Sequence, residues 1–290
     1  RDLKGDRASF GNAGAIAFAE ILPIAAPGIF WRVPRYLLSP LGPLSIRPSY
    51  IWRLFPYLWR FLAAANTNRY EVSAAAMSAF LSTAFEDHKI IYQDLGLGHL
   101  LNKQGHLWVY RSEMFRDGLP DWKILDRLGY KFEFLDRNMI EAVEPALGTA
   151  AKCAVQTEDW ATYSDPKAYV LGLMENLRKR GVEFIQGDVK TLDGQNVISA
   201  DGERNSFNYL VVAAGAWSHH LSNYLGDYCP LETERGYNTT LPHAGVSLRR
   251  MITFSQDHFV ATPMSMGLRI GGAIEFAGLE SPPNFSRSKG

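Results

Sequence analysis

The sequence predicts an α/β fold, and three observations carry the prediction. Apolar strand-like runs alternate with an amphipathic helix between Cys153 and Ser218. Strong helical periodicity returns over residues 77–95. Short strand-like runs, such as His106–Tyr110 and Leu268–Gly272, stand on both sides of the central region. The 290 residues, 47% hydrophobic and 21% charged, suffice for two modest domains or one large one.

The elements follow in order. From Glu20 to Glu71 no acidic residue intervenes, while Arg32, Arg35, Arg47, Arg53, Arg60 and Arg69 do, together with Trp31, Trp52 and Trp59. Prolines 23, 27, 34, 40, 43, 48 and 56 predict short helices and turns there. Met77, Phe80, Leu81, Ala84, His88, Ile91, Tyr92 and Leu95 recur at helical steps, predicting one helix that Gly96 and Gly98 stop. His106–Tyr110 reads as a strand, Met114–Leu128 as a helix and Tyr130–Leu135 as a strand. Asp136 caps a short helix to Val143, ahead of Pro145. Cys153–Gln156 is a strand. Ser164-Asp165-Pro166 opens a helix with a capping side chain and a proline in the first turn, and Gly181 closes it. Val182–Ile185 reads as a strand. Val197–Ala200, Asp201-Gly202 and Phe207–Val212 suggest a hairpin.

Composition narrows the function. Lysine plus arginine and aspartate plus glutamate each total 30, so no global charge draws nucleic acid. Cys153 and Cys229 lie far apart without metal-ligand spacing, which fits a reducing, cytoplasmic compartment. No run of about 18 uncharged apolar residues predicts a spanning helix. The start, Arg1–Arg7, is charged and loop-like and reads as a cut. For the arginine–tryptophan stretch two readings stand. The arginines cap helix ends and the tryptophans fill a core, or Ile29–Leu62 docks peripherally on an anionic membrane surface.

Several motifs offer chemistry, each with a plainer reading beside it. Leu210–Ser218 runs from a buried strand into Ala213-Ala214-Gly215-Ala216, where a backbone can pass close to a bulky ligand or simply turn. Ser9-Phe10-Gly11-Asn12-Ala13-Gly14 is a second small-residue loop with polar side chains. Gly187-Asp188-Val189 is a ligand turn or a solvated one. Arg235-Gly236-Tyr237 and Glu275 offer a guanidinium, a phenol and a carboxylate, suited to gripping a substrate or to a surface salt bridge. His219 and His220 lack a third ligand at metal spacing, so no metal site is expected.

Taken together and in this order, the motifs resemble the glycine oxidase and D-amino-acid oxidase family of FAD-dependent oxidoreductases, closest to the bacterial D-amino-acid dehydrogenases. Arg7–Gly14, Gly105-His106-Leu107, Asp165-Pro166, Gly187–Val189, Ala213–Ser218, Glu234–Tyr237 and Gly267–Gly278 carry the likeness. The resemblance implies an incomplete FAD-binding Rossmann-like domain (1–14 and 150–228), a helical segment (15–89), and a substrate domain with a mainly antiparallel sheet (90–149 and 230–290). It implies that Ser9, Asn12, Ala13 and Gly14 lie along the flavin, Val189 near the adenine, and Ala214, Gly215 and Trp217 beside the dinucleotide. Arg235, Tyr237 and Glu275 fall on the substrate side. The family's opening strand, Gly-x-Gly-x-x-Gly turn and helix, and its closing segment with a substrate-binding arginine, are absent from this sequence. The chain is therefore expected to be a fragment, inactive alone.

The implied reaction is hydride transfer from the α-carbon of a D-amino acid to the flavin N5, followed by hydrolysis of the imine, with a quinone or another electron acceptor as partner. Alternatives are an oxidase, a dehydrogenase of glycine, hydroxyproline or another secondary amine, and a flavin-free membrane-surface protein.

Overall fold

A computed structural model describes residues 7–38, 42, 44–112, 120–158 and 160–288. Chain order begins with a 3-10 turn at Ala8–Phe10, then β1 (Ala15–Ala17), α1 (Ile29–Leu38) and β2 (Leu44–Ile46). α2 (Ile51–Ala64) runs through Pro56, against the expectation that proline would end it. The carbonyl freed four residues earlier belongs to Trp52, which is exposed, so water can satisfy it. The helix expected at 77–95 is two: α3 (Thr67–Leu81), capped by the Asn66 side chain, and α4 (Ala84–Asp94). The break falls at Ser82-Thr83, where the Ser82 hydroxyl donates to the Ala79 carbonyl and competes with the helical ladder.

β3 (Leu101–Asn102), β4 (His106–Tyr110), α5 (Pro120–Arg127), β5 (Phe132–Leu135) and α6 (Arg137–Val143) follow. Of the helix expected at Met114–Leu128, residues 113–119 lie outside the described residues, as do the side chains of Arg32 and Arg35. Asp136 caps α6 by accepting from the Met139 N–H. β6 (Cys153–Thr157) and β7 (Trp160–Tyr163) precede α7 (Pro166–Lys179), whose Asp165 cap accepts from the Ala168 N–H at 2.9 Å. β8 (Val189–Asp193), β9 (Asn196–Ser199) and β10 (Arg204–Ser206) form a small antiparallel sheet. α8 (Ser218–Tyr224), β11 (Arg235–Leu241), β12 (Met251–Phe254), β13 (Phe259–Met264) and β14 (Gly267–Phe276) complete the chain.

The organising element is an eight-stranded sheet in the order β11-β14-β13-β12-β4-β6-β5, with β2 added beside β14. It is mainly antiparallel, as expected; β12–β4 and β14–β2 are its parallel pairs. One face buries Leu107, Val109, Ala154 and Ile252 under Ile140 of α6. The other buries Tyr110, Cys153 and Val155 under Trp122 of α5 and Ile21. Burying such side chains contributes about 1.5–3 kcal/mol each, which is why the strand register follows the apolar alternation. A separate three-stranded sheet, β1-β7-β3, ties the N-terminal loop to the start of α7.

Three strand expectations are corrected. Val182–Ile185 and Leu210–Val212 are not strands, and the hairpin pairs β9 with β10 instead of with Phe207–Val212. A run apolar on both faces suits a strand with a neighbour on each side. Among the described residues no strand pairs with either run, and Val211 lies 85% exposed. Among the described residues no helix is long and apolar enough to cross a membrane.

Candidate functional site

The loop Ser9–Gly14 is fixed from several sides. Gly14 has φ +70°, and a Cβ there would run into the Tyr163 carbonyl oxygen, so only glycine fits without strain. Its N–H donates to the Asn12 side chain at 2.7 Å, and its carbonyl accepts from the Tyr163 N–H at 2.8 Å. From β14, Arg269 donates to the Asn12 carbonyl at 2.6 Å and to Thr240 Oγ1 at 3.1 Å. From β11, the Asn238 side chain donates to the Gly11 carbonyl. Ser9 and Asn12 remain exposed, and Ala13 is half-buried. Two cations stand by the loop: Lys167 lies 5.5 Å and Arg7 6.0 Å from the centre of the Phe10 ring.

Val189 and Ala214–Trp217 sit elsewhere. Val189 opens β8, and α8, which follows the turn, packs on that strand. Gly215 has φ +57° and open space where a Cβ would stand. The predicted cofactor residues thus fall into two groups, one on the edge of the large sheet and one on the small sheet with α8.

Arg235, Tyr237 and Glu275 do come together. Arg235 pairs with Glu275 across β11 and β14, Nη1 to Oε2 being 3.4 Å. The Tyr237 hydroxyl donates to the same oxygen at 2.7 Å, and Arg47, just past β2, donates from Nε to the other oxygen at 2.9 Å. Burial alone would raise the Glu275 carboxyl; hydrogen bonds from Arg47 and Tyr237, with the charges of Arg47 and Arg235, outweigh it and hold the group below its ordinary range. Arg235 also donates to the Ser281 carbonyl at 2.7 Å. The cluster spends its polar atoms on itself and braces three strands.

Arg269, Asn238 and Arg47 were not singled out by sequence reasoning. Arg269 was visible as a lone charge in a glycine-rich apolar run, Gly267–Gly272. Arg47 was counted only as one of six arginines. Trp31, Trp52 and Trp59 are 81%, 83% and 68% exposed, so none of them belongs to a core formed by the described residues themselves.

Residues 1–289 match the family model described as DAO, FAD dependent oxidoreductase. A D-amino-acid oxidase of Bradyrhizobium diazoefficiens is 32% identical over 287 residues, covering 97% of this chain and 68% of that protein. A D-amino acid dehydrogenase of Xylella fastidiosa (strain M23) is 27% identical, covering 95% and 66%. Among solved structures, L-proline dehydrogenase from P. horikoshii superposes with a TM-score of 0.59 at 15% identity, covering 73% of this chain and 59% of that one. Glycine oxidase from Bacillus cereus ATCC 14579 gives 0.51 at 18% identity, covering 70% and 59%. These structural likenesses show the fold. The chain spans about two thirds of the length of those curated relatives and 59% of those solved chains.

Proposed function

Because the chain belongs to the DAO family of FAD-dependent oxidoreductases, we propose that it is part of an enzyme oxidising D-amino acids to imines, with FAD as its cofactor. The observation that carries the reading is the Ser9–Gly14 loop. It is locked from below by Tyr163, Arg269 and Asn238, keeps Ser9 and Asn12 open to solvent, and has two cations beside it. This arrangement fits an anionic dinucleotide: fixed backbone, small residues, positive charge.

On this reading Ser9, Asn12, Ala13 and Gly14 hold the flavin and pyrophosphate, with Arg7 and Lys167 supplying charge. Val189 lies by the adenine. Ala214, Gly215 and Trp217 form the second wall, where the open space at Gly215 admits a close approach. The chemistry FAD supplies when bound is acceptance of a hydride from the substrate α-carbon. The work of this chain is positional. Arg269 fixes the loop against the large sheet, and the Arg47–Glu275–Arg235–Tyr237 brace keeps β2, β11 and β14 in register behind it. That brace touches substrate only indirectly. The dinucleotide part comprises residues 1–14 and much of 150–228; β6, within that range, belongs to the large sheet instead.

On this reading the electrons pass to a quinone or another electron acceptor, and the exposed face of α2 is a docking surface for an anionic membrane. Trp52, Phe55 and Trp59 are exposed on a helix without acidic residues, a pattern suited to anionic lipid headgroups. Vesicle sedimentation reads this: binding is expected to favour anionic over neutral vesicles and to weaken in Arg53→Gln/Arg60→Gln, and equal binding to both overturns it.

The function is tested on the protein expressed from its complete reading frame. D-amino acids are expected to bleach the flavin absorption anaerobically while L-enantiomers do not, and oxygen uptake separates an oxidase from a quinone-linked enzyme. Gly215→Val is expected to lose flavin and keep its circular dichroism. Bleaching by L-amino acids alone, or by glycine or hydroxyproline alone, overturns the substrate assignment.

A further inference from the structure

Helix α3 carries a surface that its own packing leaves uncovered. One side of it is buried, where Tyr70 and Ala74 pack with Ile124 of α5. The opposite side would ordinarily carry charge, because a helix lying on a core turns its polar face to water. Here it does not. From Val72 to Phe85 the sequence holds no charged residue. Val72, Ala75, Ala76, Ala79 and Phe80 recur at helical spacing along that side. All five are exposed, Val72 by 69% and Phe80 by 82%. Apolar residues on every side of a helix call for a neighbour on every side.

The face continues past the break. Ser82 and Thr83 keep right-handed helical backbone angles, and Ile90 of α4, 63% exposed, extends the apolar surface. Its ends carry opposite charges. Arg69 stands at the start of α3 and Asp87 in the first turn of α4, both exposed. Eighteen positions separate them, about five helical turns, which puts them on one line along the surface. Arg69 donates to the Ala63 carbonyl at 3.0 Å, and among the described residues neither Arg69 nor Asp87 has an ion-pair partner. Ala76 and Phe80 stand equally far from the midpoint of that line, position 78, one small and one large.

We infer that this face binds a second copy of the chain, α3 running antiparallel to its counterpart about a two-fold axis at the level of position 78. Each Phe80 then lies over the partner's Ala76, and each Arg69 meets the partner's Asp87. A two-fold interface must be complementary to itself. This face is so in size and in charge. The alanines let two helices approach to about 8 Å between axes. Lipid is a poorer occupant, because a helix lying in a membrane surface carries tryptophan, phenylalanine and basic residues. α2 has that composition; the exposed side of α3 has alanine instead. The inference goes beyond the proposed oxidation and stands independently of it.

The test is sedimentation equilibrium of the protein expressed from its complete reading frame, in detergent-free buffer of low salt. A dimer is expected at micromolar concentration. Ala76→Lys puts a charge at the centre of the contact; lysine is a good helix former, so the fold is expected to survive it. The variant is expected to dissociate about a hundredfold more readily. Arg69→Glu and Asp87→Arg each create two like-charge contacts across the axis, and each is expected to weaken the dimer about tenfold. Mixing these two variants restores opposite charges at both ends, so a heterodimer about as tight as wild type is expected. A monomer in buffer overturns the inference and assigns the face to another part of the chain or to lipid. So does a dimer that Ala76→Lys leaves intact, or a mixture of the two charge variants that associates no better than either alone.

Discussion

Replacing Glu275 with glutamine removes one charge and almost no volume from the centre of the strand brace. The carboxylate is 3% exposed, while Arg47 and Arg235 are about a quarter exposed. Each hydrogen bond to a charged partner is worth roughly 1.5–3 kcal/mol. Part of that returns, because both guanidiniums reach solvent and Arg235 keeps the Ser281 carbonyl. A glutamine also turns an N–H₂ toward one of the donors. The net cost is about 2–4 kcal/mol. With a urea slope of roughly 2–3 kcal/mol/M, the unfolding midpoint falls by about 1 M. The effect also has a pH signature. The folded carboxyl titrates below its ordinary 4.5, so the unfolded chain binds the proton first. The stabilisation is complete above 4.5 and drains away as pH falls through the lower folded value, so wild type and variant converge in acid. A midpoint within about 0.2 M of wild type at pH 7, or a difference that persists in acid, refutes the brace.

Three further outcomes follow from the same geometry. Gly14→Ala places a Cβ against the Tyr163 carbonyl at positive φ, and urea unfolding is expected to show a loss of about 2 kcal/mol or more; a neutral result means the loop is held otherwise. Arg269→Met removes the donor to the Asn12 carbonyl, so amide exchange in the peptide spanning residues 7–17 is expected to accelerate about tenfold or more in a folded protein; unchanged protection shows that Arg269 does not fix the loop. His106 is fully buried, stacked on Trp160, and burial pushes it down to about 3. The unfolded chain therefore takes the proton from about pH 6.5 downward, and stability is lost at about 1.4 kcal/mol per pH unit between there and 3. His106→Gln is expected to flatten that acid limb, and an unchanged slope assigns it to other groups.

Much of the fold was determined by local sequence. Asp165-Pro166 and Asp136 set helix starts because capping is a local hydrogen bond, and the structure places both caps as expected. His106–Tyr110 and Leu268–Gly272 form strands because their alternation matches a sheet with two packed faces. Only tertiary structure decided the rest. Val182–Ile185 and Leu210–Val212 have strand composition, but a strand exists through its neighbours, and here no described strand supplies the hydrogen bonds. The loop motif Ser9–Gly14 was legible as a small-residue run; that Arg269 and Asn238, more than 220 positions away, hold it was not. Arg235, Tyr237 and Glu275 read as a substrate grip because each is a good hydrogen-bonding group. Register β11–β14 brings them face to face, where with Arg47 they satisfy one another. The choice between ligand contact and mutual bracing depends on which partner lies within about 3 Å, and that distance is fixed by long-range strand pairing.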